Sequence, residues 1–195
     1  MNTGLQLPQT AAHWVLVGAA TIAIIFFAVG LTTYFEAPKI RPRWVGLIHD
    51  SALVLALVHL VGTILLPPRS DRWAVAGILL YTLAVAVFLS AIEAARRTRL
   101  QRSFIDFPLP DRLITEGPFT WVRHPFFLGY ILGALAAPIA ISSLGLTILA
   151  LCMITTTVSA AVREERVWLE SPRADQYREY RRRTGMFVPF IGRGR

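Results

Sequence analysis

The chain has 195 residues, 54% hydrophobic and 16% charged, and its apolar residues fall in long blocks rather than at amphipathic intervals, which excludes an ordinary water-soluble domain. A single cysteine, Cys152, excludes an internal disulfide and a cysteine-built zinc or iron–sulfur centre, so no metal is expected. The net charge of +8 would suit nucleic acid only if the basic residues formed a face on a soluble fold; they follow the apolar blocks instead, and no nucleic-acid partner is expected.

Five apolar runs follow in chain order, residues 12–35, 44–66, 73–95, 126–141 and 144–162, against ~20 residues needed to cross the hydrocarbon. The first lacks a basic leader and exceeds a signal-peptide core, so it reads as a span. The fourth is short and requires a thinned bilayer or help from the Arg123 side, with a tight turn at Ser142 and Ser143. The fold class is therefore an all-α integral membrane protein: five transmembrane helices, a C-terminal helical hairpin and a cytoplasmic tail helix. It forms one membrane domain, residues 1–195, with three N-terminal spans in 1–95 and the connection, hairpin and tail in 96–195.

Orientation follows from the basic residues. Alternate loops hold 18 of the 20, and only Arg69 and Arg72 fall on the other side. The positive-inside rule places the N-terminus outside and both long polar segments, 93–125 and the tail, in the cytoplasm. Lys39 is the sole lysine; with abundant Ala this points to a GC-rich prokaryotic genome and hence a cell inner membrane. Gly129, Gly133 and Ala137 form a small-residue ridge for helix packing. In the tail, Ser171 as N-cap, Pro172 at the first helical position and Gly185 near the C-cap predict a short helix with Tyr177, Tyr180 and Arg181 on one face.

The densest constellation is G-P-F-T-W-V-R-H-P-F-F-L-G, residues 117–129. Pro125 suits a helix start, so Arg123 and His124 stand where the positive dipole end meets the membrane surface, an arrangement that favours anions. Arg123 as a lipid-phosphate anchor and His124 as a cap would also account for the tripeptide. The second constellation is Arg163, Glu164, Glu165 and Arg166 at the exit of the fifth run, where snorkelling charges are ordinary. The tight turn brings His124 and Glu165 to one end of the hairpin. An anion site facing a carboxylate then matches a zwitterionic amino-acid group.

At these residues the chain resembles the isoprenylcysteine carboxyl methyltransferase family and, more widely, the membrane phospholipid methyltransferases. About the last 90 residues carry it: L-I-T-E-G-P-F-T-W-V-R-H-P, the apolar hairpin, E-E-x-x-x-L, and D-Q-Y-R-E-Y-R-R-R-T-G-M-F-V-P. The resemblance implies an integral membrane enzyme that binds S-adenosyl-L-methionine on the cytoplasmic side and draws a lipophilic small-molecule or lipidated substrate from the bilayer. It implies cofactor contacts at Leu113, Ile114, Phe119, Arg123, His124, Pro125, Phe126, Phe127, Glu164 and Glu165, with Tyr177 and Tyr180 closing the pocket. His124 and Glu165 would be catalytic, and Arg163 a weaker, substrate-facing cation. Phe119 and Phe127 stand where the family commonly has Tyr, and Ala174 replaces a frequent Gly. Methyl acceptors compatible with a site open to lipid include a prenylated cysteine carboxylate, a phosphatidylethanolamine amine, a thiol and an isoprenoid hydroxyl.

Two other functions fit parts of the sequence. A membrane NADPH-dependent sterol or enone reductase would have a similar hairpin and basic tail, but a 2′-phosphate needs several cations where adenosylmethionine needs one anion site and one acid. A non-enzymatic membrane protein would use Arg181, Arg182 and Arg183 to bind anionic membrane lipids. Within the spans, His49 and Asp50 suit interhelical hydrogen bonding, with the border of the same pocket as the other possibility. His59, deeper in its span, suits a bond to a backbone carbonyl, with the lining of a substrate tunnel as the other possibility.

Overall fold

The computed structural model describes residues 10–36, 43–96, 100–101 and 112–189, with side chains described outside 35–36, 43–52 and 100–101. Among the described residues six α-helices dominate: α1 (Ala11–Thr33), α2 (Arg43–Leu65), α3 (Asp71–Ala95), α4 (Pro125–Ile141), α5 (Leu144–Leu169) and α6 (Ala174–Arg183). A 3-10 turn covers Gly117–Thr120. Two-residue strands β1 (Phe35–Glu36) and β2 (Leu100–Gln101) pair in parallel. The sequence reading contained no such pairing, because two residues carry no periodicity.

Among the described residues, α1, α3 and α5 are long and apolar enough to cross a membrane; the described apolar part of α2, Leu53–Leu65, and α4 are shorter. Their outward faces are greasy, as at Ile22, Val29, Leu53, Leu79, Leu83 and Leu151, all about half exposed or more. Such a surface suits lipid and would be untenable in water.

α3 lies centrally, packed against both α4 and α1, which also touch each other, and α4 turns back into α5. Small residues set these contacts. Ala20, Ala23, Ala136, Ala137 and Ala140 are buried around Leu16, Tyr81 and Leu146, so the helix axes approach closely and gain dispersion contact that lipid tails cannot supply. Gly129 belongs to this device: a Cβ there would stand 3.1 Å from the carbonyl oxygen of Ala84. The 129/133/137 ridge is thus a packing surface.

The α4–α5 turn is as tight as expected. Ser142 takes the left-handed conformation at φ 57° as the C-cap of α4, and the Ser143 side chain accepts from the Leu146 amide as the N-cap of α5. The tail differs from its expectation. α6 starts at Ala174, not at Pro172, with Arg173 in the N-cap position. Ser171 instead ties the bend between α5 and α6, its hydroxyl donating to Trp168 O at 2.7 Å and accepting from the Arg173 amide at 3.1 Å. A serine that can satisfy the last carbonyls of one helix competes with its use as the cap of the next.

His59 also differs. Its Nε2 meets the Tyr81 hydroxyl at 2.8 Å rather than a carbonyl; it is His13 that bonds a backbone carbonyl, that of Thr63, at 2.9 Å. The side chains of His49 and Asp50 lie outside the described residues.

Candidate active site

Pro125 is buried as the first residue of α4, where its missing N–H costs nothing. His124 occupies the N-cap position with a non-helical backbone, and its side chain makes no capping bond, which leaves the ring available elsewhere. After the tight turn, α5 continues past its apolar run, so residues 163–169 stand beyond the membrane-spanning part.

There the two charged constellations meet. Arg123 Nε donates to Glu165 Oε1 at 2.7 Å, with both side chains under 10% exposed. His124 Nε2 lies 3.3 Å from the same oxygen, and the other ring nitrogen, Nδ1, lies 3.8 Å from Glu164 Oε2. Arg181, from α6, brings its Nε to 3.7 Å from Glu165 Oε2. Burial pushes the Glu165 carboxyl up, but the hydrogen bonds from His124 and Arg123, with their charges, outweigh it and bring the group down to about 2. Glu165 is therefore an anion at any physiological pH.

Two apolar walls flank this centre. Ile114, Phe119, Ala91 and Ala95 pack together with Phe126 beside them. Trp168, Tyr177 and Tyr180 form the other, with Leu113 against it; Trp168 and Tyr177 are stacked, centroids 5.6 Å apart and planes within 7°. Phe127 stacks on His124 at 5.6 Å. The Tyr180 hydroxyl donates to Phe119 O at 2.7 Å and joins the walls. Burial holds both tyrosine hydroxyls well above their ordinary range, so they remain donors.

The tail is strapped over the start of α4. Amides of Arg123 and His124 donate to the carbonyls of Gly185 and Met186 at 2.8 and 3.3 Å, and Gly185 N–H returns to Trp121 O at 3.3 Å. The Arg123 Nη1 donates to the carbonyls of Thr184 and Arg181 at the C-terminal end of α6, where positive charge is favoured.

Residues 73–172, just over half of the chain, match the model of the phospholipid methyltransferase family. The chain belongs to that family. It is also similar to the protein-S-isoprenylcysteine O-methyltransferase of Schizosaccharomyces pombe, 28% identical over 79 residues, which cover 40% of this chain and 34% of that protein. The match thus spans about a third of that relative's length. No solved structure gives a significant match.

Within this phospholipid methyltransferase family chain, the matched stretch holds His124, Glu164, Glu165 and both apolar walls except Tyr177 and Tyr180, which enter from the tail beyond it. Leu113, Ile114, Phe119, Arg123, His124, Pro125, Phe126, Phe127, Glu164, Glu165, Tyr177 and Tyr180 form one contiguous group. Arg163 is not part of it. That residue is exposed, and two positions along a helix place it on the side away from buried Glu165.

The main geometric difference from the sequence reading concerns Arg123. It was expected to face Glu165 across a gap and hold an anion; it is in contact with Glu165 and otherwise committed to tail carbonyls. Trp168 joins the site without a motif of its own to mark it, although its i+3 spacing from Glu165 puts it on the same face of α5. Arg181 shares the face of Tyr177, as its spacing predicts, but nothing in the sequence names Glu165 as its neighbour. The strap at 184–186 has no helical or alternating pattern that could reveal it.

Proposed function

We propose that the chain is an S-adenosyl-L-methionine-dependent methyltransferase that acts on a lipophilic substrate at the cytoplasmic membrane face, in the manner of isoprenylcysteine carboxyl methyltransferases. It would be an integral protein of a prokaryotic inner membrane, with five spans, the N-terminus outside, and the connection and tail inside, in agreement with its basic loops. The observation that carries the reading is the meeting of His124 and Glu165 in one buried polar centre between two aromatic walls, at the mouth of the α4–α5 hairpin.

The residues present fit the cofactor. An adenosylmethionine needs an acceptor for its ammonium, a cation for its carboxylate, and π faces for adenine and sulfonium. Glu165 Oε1 takes the bonds of Arg123 and His124, whereas Oε2 accepts no hydrogen bond among the described residues. The Tyr177 hydroxyl is buried without a partner there, an expensive state that a bound polar group would relieve. Phe119, Tyr177 and Tyr180 supply the ring faces.

When bound, the cofactor supplies an electrophilic methyl on a sulfonium. The protein's task is to fix the angle of approach and exclude water, since transfer consumes rather than creates charge. Arg123 and His124 hold Glu165 in a single orientation. The strap and the Tyr180 bond keep the aromatic wall closed.

Incubation of the purified chain with methyl-labelled cofactor and a native lipid extract tests the reading. Label in an extractable lipid is the expected result. Label confined to unreacted cofactor, with several extracts, would contradict it.

A further inference from the structure

Arg123 gives its Nε to Glu165 and its Nη1 to tail carbonyls, with its side chain under 10% exposed, so a more exposed cation nearby is better placed to receive the carboxylate of an amino-acid group. On α6, Arg178 lies 2.6 Å from Asp175, and Arg182 and Arg183 lie 3.5 and 3.3 Å from Glu179. These three are turned to acids of their own helix. Arg181 is not: among the described residues its one ion pair is the long approach to Glu165 Oε2 at 3.7 Å, beyond hydrogen-bond distance, and half of its side chain is exposed. Its position is imposed by its neighbours, since Tyr177 and Tyr180 anchor the adjacent face of α6 and its own carbonyl accepts from Arg123 Nη1 at 3.4 Å.

We infer that Arg181 and Glu165 Oε2 together form the receptor for a zwitterionic amino-acid group, with Arg181 binding the carboxylate and Glu165 the ammonium. An α-amino acid presents its two charges on adjacent carbons, so it can lie across an acid and a guanidinium that are close but not bonded to each other. The guanidinium matches a carboxylate in two parallel bonds, which an ammonium side chain cannot do. Arg181 thereby acts as a binding residue supplied by the tail, outside the stretch matched by the family model. The inference rests on the proposed cofactor and deepens it.

The test uses the full chain in detergent and two ligands, S-adenosylhomocysteine and 5′-methylthioadenosine, which keeps the adenosine and sulfur but has no amino-acid group. Isothermal titration of Arg181→Ala should show adenosylhomocysteine affinity falling roughly tenfold or more, the loss of a charged hydrogen bond, with methylthioadenosine affinity unchanged. Arg181→Lys should recover part of the loss. Equal losses for both ligands, or none for either, would overturn the role of Arg181 and leave the cofactor standing. Failure of the unmodified chain to bind adenosylhomocysteine would instead overturn the reading beneath it.

Discussion

Arg123 Nε and Glu165 Oε1 lie 2.7 Å apart in a site where neither side chain is more than a tenth exposed, and they join the start of α4 to the end of α5. Because the same guanidinium also bonds the carbonyls that end α6, three helices depend on one ion pair. Removing one partner breaks a buried pair whose other contacts only partly compensate the remaining charge, which costs up to about 3 to 5 kcal/mol. Arg123→Leu and Glu165→Leu should each lower stability by that order, and the double variant by less than their sum. A double-mutant cycle on unfolding in mixed micelles measures the difference.

The pair also predicts an acid limb. The folded-state carboxyl of Glu165 is depressed to about 2, below the ~4.3 of a free glutamate. Its contribution is thus complete above the unfolded value and is lost as pH falls through the folded one. Thermal midpoints of the parent and of Glu165→Gln should differ by a constant amount from pH 7 to 5 and converge between about pH 4 and 2. A gap that widened on acidification would contradict the assignment.

Tyr180→Phe removes one donor from the bond that joins the aromatic walls. The expected cost is about 1 kcal/mol in stability, with faster proteolysis of the tail at residues after Arg183. Pulse proteolysis followed by mass analysis of the fragments reads both.

Tyr177→Phe should behave differently. Its hydroxyl is buried without a partner among the described residues, so deletion should leave stability unchanged or slightly higher. Adenosylhomocysteine affinity should fall by several-fold if that hydroxyl meets the ligand. Thermal midpoint and titration on the same sample separate the two effects.

Gly129→Val tests the ridge. A Cβ already meets the Ala84 carbonyl at 3.1 Å, so two further methyls must push α4 from α3, at about 1 to 3 kcal/mol. Binding and labelling should fall in proportion to the folded fraction and no further.

The helices were legible because their residues obey one rule apiece. Runs of lipid-compatible side chains marked all five long helices to within two residues, apart from the charged extension of α5, and Pro125, Ser142 and Ser143 punctuated the hairpin by backbone chemistry alone. His124 and Glu165 could be brought to one end because a tight turn between antiparallel helices admits only one arrangement. What the sequence could not carry was pairing by charge at a distance: nothing in R-H-P says whether Arg123 looks to a ligand, a lipid or a carboxylate 42 positions on. Ser171 braces the α5 bend and does not cap α6, a distinction the sequence does not carry because both uses call for the same residue type. His59 went to Tyr81 instead of a carbonyl because a hydroxyl on a facing helix competes equally well in a dry interior.

The most direct measurement is titration of the purified full chain with S-adenosylhomocysteine and, separately, with NADPH. The account predicts saturable binding of the first and not the second, weakened at least tenfold by His124→Ala and by Glu165→Gln in samples that remain folded. Binding of NADPH alone, or no binding of adenosylhomocysteine by the folded parent, would contradict it.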